Sequence, residues 1–320
     1  MNTVSSPLSP APSLGPIAFV GAGAVGCYYG GLLFRAGLPV TLVARGATAA
    51  ALQKSGLRVE SAGQSDQVAI RVADSPAAVQ GAALIVVCVK SSDTAETARQ
   101  IAPFLRDDAL VLSLQNGVTN GDDLIAGLRQ SVVPAAVYVA TEMAGPGHVR
   151  HHGGGAFTIG SPRERPIARE RLDAIAQLFA HAGITVSIND DITAVQWGKL
   201  VVNCTYNALS AITQDDYGTL VGSEPIREVM GWVIEEAAAL AKARDIALGD
   251  DLHARVMQVA SMMPRQRSST AQDIARERRT EIEHLNGYLI REGERLGIAT
   301  PVNQTLYALV RQLEDSYLKR

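Results

Sequence analysis

The sequence predicts an α/β N-terminal domain with a mostly parallel sheet, followed by an all-α C-terminal domain. Two observations carry this prediction. From residue 15 to about residue 188, short apolar runs with strand character alternate with helical stretches, which is typical of βαβ units. After Asn189, long segments carry apolar residues at helical spacing and contain strong helix formers. The predicted domains are therefore 15–189 and 190–320.

Each predicted element of the first domain is a short apolar run bounded by glycine, proline or polar residues. In chain order the strands are 17–20, 40–43, 57–60, 67–72, 84–89, 110–114, 132–139 and 185–188. The segment 149–159 contains Gly153, Gly154 and Gly155 and predicts a hairpin around them. In the second domain, helical periodicity is strongest over 229–243, 252–263, 280–296 and 302–317.

Composition and charge exclude several kinds of partner. The 320 residues are 47% hydrophobic and 19% charged, as in an ordinary globular protein. The 29 basic and 32 acidic side chains nearly cancel, so no large basic field attracts nucleic acid or an anionic membrane. No apolar run reaches the roughly 18 residues of a membrane helix. We therefore expect neither a nucleic-acid nor a membrane partner.

Cysteine usage and the N-terminal segment bear on location. Cys27, Cys88 and Cys204 lie in apolar or small-residue runs and are interpreted as free buried thiols, which favours a reducing, cytoplasmic compartment. Residues 1–14 are rich in Ser and Pro and lack the features of a secretory signal, so they predict a disordered tail. The apolar helical half could support a homodimer.

A glycine-rich motif follows the first predicted strand. Gly21, Gly23 and Gly26 have the GxGxxG spacing. The intervening residues are Ala22, Ala24 and Val25. In such a loop the first glycine permits a tight turn, the second lets a pyrophosphate approach the backbone, and the third lets the helix pack against the strand. The motif predicts a Rossmann-type, dinucleotide-binding domain, and the alternative is a purely structural glycine turn.

The residue that follows the second predicted strand indicates which dinucleotide binds. An NAD-binding domain usually carries Asp or Glu there to bind the ribose 2′-hydroxyl, whereas this chain has Arg45. A guanidinium pairs with a 2′-phosphate that a carboxylate would repel. Arg45 therefore favours NADP(H), and the alternative is an arginine that points to solvent.

Polar side chains follow two later strands, at the sheet edge where ligands of open α/β sheets bind. Lys90 follows the strand 84–89, and Asn116 with Gly117 comes just after the strand 110–114. Taken singly, Lys90 could be a solvated loop lysine and Asn116 with Gly117 only a turn. Their shared position favours contacts with the dinucleotide.

The start of the second domain concentrates polar side chains on one helix face. Residues 197–211 have the sequence WGKLVVNCTYNALSA, in which Lys199, Asn203 and Asn207 fall at i, i+4 and i+8. An ammonium and two carboxamides are costly to bury without partners. The pattern indicates either a ligand-binding face or a solvated stripe.

The sequence provides little support for a metal site. His151 and His152 are adjacent, but they stand in a glycine-rich segment without Asp, Glu or Cys at ligand spacing. We therefore expect no metal in the function.

Two motifs near the C-terminus complete a set that resembles the ketopantoate reductase family, the 2-dehydropantoate 2-reductases. They have the sequences SSTAQD at 268–273 and RTEIEHLNG at 279–287. In chain order the whole set is the glycine loop, Arg45, Lys90, Asn116 with Gly117, Lys199, Ser268 and Ser269 with Asp273, and Thr280 with Glu281. The order and spacing match the family from Ile17 to about Glu314.

The resemblance implies a reaction and the roles of individual residues. The reaction is the NADPH-dependent reduction of 2-dehydropantoate to (R)-pantoate in pantothenate biosynthesis, with NADPH and the 2-oxo acid meeting between the two domains. Lys199 would donate the proton, and Glu281 would be an acid near the reacting centre. The substrate would be bound by Asn116, Asn203, Asn207 and Ser269. The cofactor would contact the loop residues 21–26, Arg45, Lys90, Asn116 and Glu281.

Elementary chemistry agrees with this assignment. Hydride delivery to a ketone carbon builds negative charge on its oxygen, which a cationic lysine stabilises and protonates. A carboxylate near that lysine keeps it oriented and charged. The nicotinamide performs the redox step, so no metal is required.

One position departs from the family pattern and leaves two other functions open. Where reductases of ketopantoate often carry an Asn that reaches the substrate, this chain has Asp215, Asp216 and Tyr217. A phenol in place of a carboxamide changes pocket volume and hydrogen bonding. The protein could therefore reduce a different 2-oxo acid, or be a non-catalytic NADP-binding sensor module. Lys199 together with Glu281 argues against the sensor, because a sensor needs no proton donor.

Overall fold

A computed structural model of the chain describes residues 14–319 and divides it into two compact units. The first runs up to Asn116 and continues over Asn120–Ile192, and the second comprises Gly117–Thr119 and the chain from Thr193 onward. Residues 1–13 of the predicted tail lie outside the described residues. Leu14, which was predicted to belong to that tail, packs against the core of the first unit.

The boundary between the units falls slightly later than the predicted position between residues 189 and 190. Ile192 lies so close to Gly160 that a Cβ on this glycine would be 2.6 Å from the Ile192 Cβ. Asp191 forms an ion pair with Arg163 at 3.3 Å. These contacts hold residues 190–192 to the first unit.

Within residues 14–319, the first unit is built on a sheet of ten strands. They are β1 (Ile17–Val20), β2 (Val40–Val43), β3 (Leu57–Ser61), β4 (Gln64–Val68), β5 (Arg71–Ala73), β6 (Leu84–Val87), β7 (Leu110–Ser113), β8 (Ser131–Gly145), β9 (His148–Ile159) and β10 (Val186–Ile188). Their order is β4-β3-β9-β8-β7-β6-β1-β2-β5, and β10 pairs with β9. The strands from β5 to β8 are parallel, whereas β9 runs antiparallel to β8.

Helices cover both faces of this sheet. They are α1 (Ala24–Arg35), α2 (Gly46–Ser55), α3 (Thr94–Ile101), α4 (Asn120–Gly127) and α5 (Arg169–His181). Side chains of β1 alternate between two cores: Ile17 and Phe19 pack with α1 and α5, and Ala18 and Val20 pack with α3 and α4. A strand buried on both faces is apolar throughout, which is why continuous apolar runs predicted a parallel sheet.

The hairpin predicted over 149–159 is wrong, because this segment is part of the single strand β9. Gly153, Gly154 and Gly155 have φ values of 152°, 72° and 123°, and the pairing of β9 with β8 shifts register beside them. Extra residues in one strand of an antiparallel pair form bulges rather than a turn. The reversal lies at Pro146 and Gly147, between β8 and β9.

In the described residues, every secondary-structure element of the second unit is helical. The helices are α6 (Ile192–Thr213), which starts at the boundary, α7 (Tyr217–Gly222), α8 (Glu224–Ala243), α9 (Leu252–Met262), α10 (Ser269–Ala275), α11 (Asn286–Leu296) and α12 (Pro301–Leu318). Their apolar faces share one core around Trp197, Tyr206 and Met230. The fold class is therefore confirmed as a Rossmann-type α/β domain followed by an all-α domain.

The helix predicted over 280–296 begins only at Asn286, after a 3₁₀ turn at Ile282–His284. The backbone N–H of Thr280 donates to the side chain of Glu314, and that of Ile282 donates to Thr280 Oγ1. Leu285, between the 3₁₀ turn and α11, has φ −109° and ψ −100°, which is outside the helical region, so no continuous helix runs from residue 280 to residue 296.

Among residues 14–319, we find no helix long and apolar enough to cross a membrane.

Candidate active site

The glycines of the loop between β1 and α1 have different structural roles. Gly21 has φ +105°, and a Cβ on it would lie 2.7 Å from the backbone nitrogen of Val89. A Cβ on Gly26 would lie 2.0 Å from the carbonyl oxygen of Gly21. At the exposed Gly23, nothing lies within 4 Å of an added Cβ. The fold therefore requires two of these glycines, while the third keeps space open beside the backbone.

This open space lies at the N-terminus of α1. Gly23 precedes the helix, and no side chain caps it. The first intrahelical bond runs from the N–H of Cys27 to the carbonyl oxygen of Gly23 at 2.9 Å, so the amides of Ala24, Val25 and Gly26 precede it. Such amides and the helix dipole attract phosphate. The loop thus fits the pyrophosphate of a dinucleotide.

Arg45 lies after β2, immediately before α2, and is exposed. Its Nη2 donates to Oε1 of Gln100 at 2.6 Å, and Nε2 of Gln100 donates to Glu96 at 2.7 Å. Hydrogen bonds from Arg99 and Gln100 lower the pKa of Glu96, and the charge of Arg45 adds to this effect. Arg45 is therefore a cation tethered to α3, with a carboxylate nearby that sequence reasoning did not single out.

Lys90 and Asn116 lie in neighbouring loops after β6 and β7. Lys90 is exposed and precedes a 3₁₀ turn at Ser91–Asp93, and Asn116 is partly buried. The backbone carbonyl oxygen of Asn116 accepts hydrogen bonds from Oγ of Ser91 at 3.0 Å and from Nδ2 of Asn120 at 2.6 Å. The two loops are therefore joined at the candidate cofactor residues.

Buried polar side chains extend this connection behind the loops. Nε2 of Gln115 donates to the carbonyl oxygen of Val89 at 3.1 Å and to Oγ1 of Thr94 at 2.7 Å. Thr94 Oγ1 donates to Oδ1 of Asn120 at 2.7 Å. Gln115, Thr94 and Asn120 are each at most 5% exposed. Sequence reasoning missed this network, and its only signal was the polar residues around each strand end.

The polar face of α6 combines a lysine with two carboxamides. Lys199 and Asn203 are partly buried, and Asn207 is 3% exposed. Burial lowers the pKa of Lys199 to about 8, while the negative charge of Glu281 acts in the opposite direction. This lysine is therefore mostly protonated at neutral pH, yet it releases its proton more readily than an ordinary lysine.

Asn207 is a largely buried residue whose carboxamide still reaches solvent. Neither its carboxamide nor that of Asn203 forms a hydrogen bond with another residue in the range 14–319. Among these residues, the side-chain atom that is buried without a partner is Oδ1 of Asn286, and the carboxamide atoms of Asn207 are not in that situation. The Asn207 carboxamide is therefore available to water or to a ligand.

The start of α10 is hydrogen-bonded to the turn of α6 that contains Asn207. Ser268 is 1% exposed, and its Oγ donates to the carbonyl oxygen of Asn207 at 3.3 Å. Its Oγ also accepts the N–H of Ala271 at 3.0 Å and so caps α10. The next residue, Ser269, is exposed. Ser268 therefore has a structural role, which leaves the hydroxyl of Ser269 at the surface beside the cap.

Tyr217 begins α7 and belongs to the core of the second unit. It is 8% exposed, and its ring lies 4.4 Å from that of Tyr206 between centroids. Burial, with a contribution from Tyr206, raises the pKa of the Tyr217 hydroxyl above its ordinary value. The ring therefore fills core volume, so a substitution here changes packing as well as any contact with a substrate.

The two adjacent histidines are engaged in other contacts. His151 stacks on Tyr28 with 4.4 Å between ring centroids, and its Nδ1 lies 2.9 Å from Oγ of Ser61. His152 lies 3.2 Å from the carboxylate of Glu142. Across residues 14–319, no three His, Cys, Asp or Glu side chains are grouped so that they could hold a metal ion.

Comparison with known proteins supplies the family. Residues 17–164 match the family described as Ketopantoate reductase PanE/ApbA, and residues 191–314 match Ketopantoate reductase PanE/ApbA C terminal. A 2-dehydropantoate 2-reductase of Halobacterium salinarum is 35% identical over 298 residues, which cover 91% of this chain and 96% of that protein.

Two solved structures are similar over almost the whole chain. A PanE/ApbA family ketopantoate reductase from Ralstonia eutropha JMP134 is 50% identical, with a TM-score of 0.88 and coverage of 95% of this chain and 99% of that one. D-mandelate dehydrogenase with NADH and anilino(oxo)acetate has a TM-score of 0.87 at 24% identity, covers 95% and 99% of the two chains, and shares the fold. Since both halves match the family and these relatives align over more than nine tenths of the chain, the chain belongs to the ketopantoate reductase family of NAD(P)-dependent oxidoreductases.

Proposed function

We propose that the protein reduces 2-dehydropantoate to (R)-pantoate with NADPH, a step of pantothenate biosynthesis. The observation that carries the proposal is the polar face of α6. There a lysine with a pKa of about 8 shares a helix face with the carboxamide of Asn207, which has no hydrogen-bond partner among residues 14–319 and is open to a ligand. A 2-oxo acid presents a carbonyl oxygen that needs a proton and a carboxylate that needs donors. Relatives named 2-dehydropantoate 2-reductase support the choice of acid.

Residues of the first unit would hold the cofactor. NADPH, when bound, supplies the hydride that reduces the C2 carbonyl carbon. The backbone amides of residues 24–26 bind the pyrophosphate, and the guanidinium of Arg45 binds the 2′-phosphate. Lys90 would contact the cofactor, and Asn116 would contact both the nicotinamide ribose and the substrate, on loops that the buried network holds together. This network orders both loops before the cofactor arrives, which reduces the entropy lost on binding.

Residues of the second unit would handle the substrate and the proton. As negative charge develops on the carbonyl oxygen, the ammonium of Lys199 stabilises that charge and donates its proton. The carboxylate of Glu281 keeps Lys199 protonated in the ground state. Asn203, Asn207 and Ser269 donate hydrogen bonds to the substrate carboxylate and hydroxyl group.

Cofactor preference tests the role of Arg45. We expect the wild-type enzyme to prefer NADPH over NADH by at least about tenfold in kcat/KM, or about 1.4 kcal/mol. Arg45→Ala should narrow this gap mainly by raising the KM for NADPH, because NADH has no phosphate for the guanidinium to bind. Steady-state kinetics with both cofactors provide the measurement.

A matched control is Arg129→Ala, which removes the same charge from another exposed arginine of the first unit. This variant should keep the wild-type preference. Equal use of NADPH and NADH by the unmodified enzyme would contradict the role given to Arg45.

Substrate choice tests the named reaction. With NADPH, we expect kcat/KM for ketopantoate to be at least about 10²-fold higher than kcat/KM for 3-methyl-2-oxobutanoate, which lacks the hydroxymethyl group. The reason is that a site built to bond a substrate hydroxyl leaves its own polar groups unpaired when the hydroxyl is missing. Asn207→Leu should reduce this discrimination, because it removes a buried carboxamide at similar volume.

A second candidate function, reduction of another 2-oxo acid by the same chemistry, is favoured by Tyr217 in place of the family's Asn. The same assay decides between the two when phenylglyoxylate, an aromatic 2-oxo acid, is included. Turnover of phenylglyoxylate without turnover of ketopantoate would keep the chemistry and replace the substrate. Absence of turnover with every 2-oxo acid, despite NADPH binding, would point to the sensor module.

A further inference from the structure

The segment 278–282, which carries Glu281, is held by a buried carboxylate of α12. Glu314 is 0% exposed, and its Oε1 accepts the backbone N–H of Thr280 at 2.5 Å. Its Oε2 accepts a hydrogen bond from Nη1 of Arg311 at 2.9 Å. A carboxylate is expensive to bury, and its burial is tolerated when both oxygens have strong donors. Glu314 therefore serves to bind the Thr280 amide and not simply to fill space.

A second side chain of α12 holds the other end of the segment. Oη of Tyr317 donates to the carbonyl oxygen of Arg278 at 2.7 Å. Within the segment, Oγ1 of the buried Thr280 accepts the N–H of Ile282 at 3.2 Å. The backbone on both sides of Glu281 is thus fixed by hydrogen bonds, two of them from one helix.

The position of Glu281 matters because its charge acts on Lys199. Burial lowers the pKa of Lys199, and the negative charge of Glu281 opposes that effect. The interaction between two charges weakens with distance. Any movement of the 278–282 backbone therefore changes how strongly Glu281 stabilises the ammonium.

We propose that Glu314 and Tyr317 are positioning residues, which hold the 278–282 backbone so that the Glu281 carboxylate stays within electrostatic reach of the Lys199 ammonium. Neither residue is assigned contact with substrate or cofactor. For its effect on turnover, this inference rests on the proposed role of Lys199 as proton donor. Its effect on Lys199 itself can be measured without any substrate.

Other charged and titratable groups lie on this segment and on the neighbouring elements of the helical unit. They are Cys204 on α6, Asp273 on α10, Glu277, Arg278 and Arg279 before the 3₁₀ turn, Glu283 and His284 within it, Arg291 on α11, and Tyr307 and Arg311 on α12. The acid nearest to Glu281 in sequence is Glu283. It pairs with Arg291 and accepts a hydrogen bond from the Tyr307 hydroxyl at 2.5 Å. All of these groups remain in the variants below, so a change in the pKa of Lys199 can be assigned to the substitution of Glu314 or Tyr317.

The experiment measures the pKa of Lys199 directly. The chain contains five lysines, so lysine labelled with ¹³C at Cε gives a simple NMR spectrum, and Lys199→Ala assigns the signal. Glu281→Gln should lower the Lys199 pKa by about one unit, since it removes a stabilising negative charge. In turnover, the fall of kcat/KM at alkaline pH should move to lower pH by the same amount.

Two substitutions of Glu314 separate position from charge. Glu314→Gln and Glu314→Met both remove the carboxylate charge, but only glutamine keeps an oxygen that can accept the Thr280 N–H. We expect Glu314→Met to lower the Lys199 pKa by a smaller amount than Glu281→Gln, and Glu314→Gln to stay near wild type. Combining Glu281→Gln with Glu314→Met should add nothing to Glu281→Gln alone, because the anchor acts through Glu281.

A control removes a comparable carboxylate elsewhere in the helical unit. Glu292 is an ion-paired residue whose side chain is 13% exposed and which pairs with Arg244 and Arg295. Glu292→Met should leave the Lys199 pKa unchanged. An equal shift in this control would mean that general loosening of the unit, and not the anchor, moves the pKa.

Three further results would overturn the proposal: a folded Glu314→Met with the wild-type Lys199 pKa, equal shifts for Gln and Met at position 314, or additive shifts in the double variant. Should Glu314→Met fail to fold, Tyr317→Phe decides the matter. It removes only a hydroxyl, and a downward shift supports the proposal while an unchanged pKa overturns it.

The proposed function fails separately from this inference. If Lys199→Ala retains turnover, the reductase mechanism is wrong, although the NMR shift in Glu314→Met can still be present. If Lys199→Ala abolishes turnover and Glu314→Met leaves the Lys199 pKa unchanged, the positioning role alone is wrong.

Discussion

If Lys199 is the proton donor proposed above, we expect Lys199→Ala to lower kcat by roughly 10²- to 10⁴-fold, while the variant should fold and bind NADPH as the wild type does. The expected loss is large because the developing negative charge on the carbonyl oxygen then has neither a cation nor a proton donor. Folding should be preserved, since burial already disfavours the charged form of this lysine. Steady-state kinetics, NADPH titration and thermal unfolding measure the three quantities.

The pH dependence of the wild-type enzyme follows from the same residue. With a pKa of about 8, Lys199 is protonated below that pH, so kcat/KM for reduction should be level there and fall at higher pH. Lys242→Ala, which removes an exposed lysine of α8, is the matched control and should leave kcat unchanged. Near-normal turnover of Lys199→Ala would show that this lysine has no catalytic role.

If the loop at Gly23 binds the pyrophosphate as proposed, we expect Gly23→Ala to raise the Kd for NADPH by about 10²-fold, equivalent to about 2.7 kcal/mol, with little change in stability. The backbone of Gly23 has φ −78° and ψ −169°, which alanine adopts, and an added Cβ meets nothing within 4 Å. The methyl group therefore occupies space that the protein leaves open beside the first amides of α1. Calorimetric titration and thermal unfolding report affinity and stability separately.

Gly145→Ala makes the same change at another glycine with open space around it, on β8, and should alter neither quantity. Wild-type NADPH affinity in Gly23→Ala would exclude this loop as the pyrophosphate site. A large loss of stability would mean that Gly23, like Gly21 and Gly26, is required by the fold.

The errors in the predicted fold have identifiable physical causes. Gly153, Gly154 and Gly155 suit a turn and a bulged strand equally well, and only pairing with β8 makes them part of one strand. The helical periodicity over 280–296 holds only from Asn286 onward, because the backbone of Leu285 is not helical and Glu314, 34 positions from Thr280, binds the amide of Thr280 in the segment before it. No local pattern contains that information.

In the candidate site, too, the sequence predicted some features and tertiary packing decided others. The spacing of Lys199, Asn203 and Asn207 places them on one helix face whatever the helix packs against. The burial of Asn207 and the lowered pKa of Lys199 depend on neighbours from distant parts of the chain. The spacing therefore predicted the face, and packing decided its chemistry.

By itself, the sequence determined the parallel sheet, the glycine loop, the all-α second half and the resemblance to a family. Each of these features depends on local periodicity or on short motifs of fixed spacing. The tertiary structure alone decided that Glu96 lies near Arg45, that a buried network ties the loops of Lys90 and Asn116, and that α12 anchors the backbone around Glu281. These contacts join residues far apart in the chain, so they exist only once the hydrophobic cores bring their elements together.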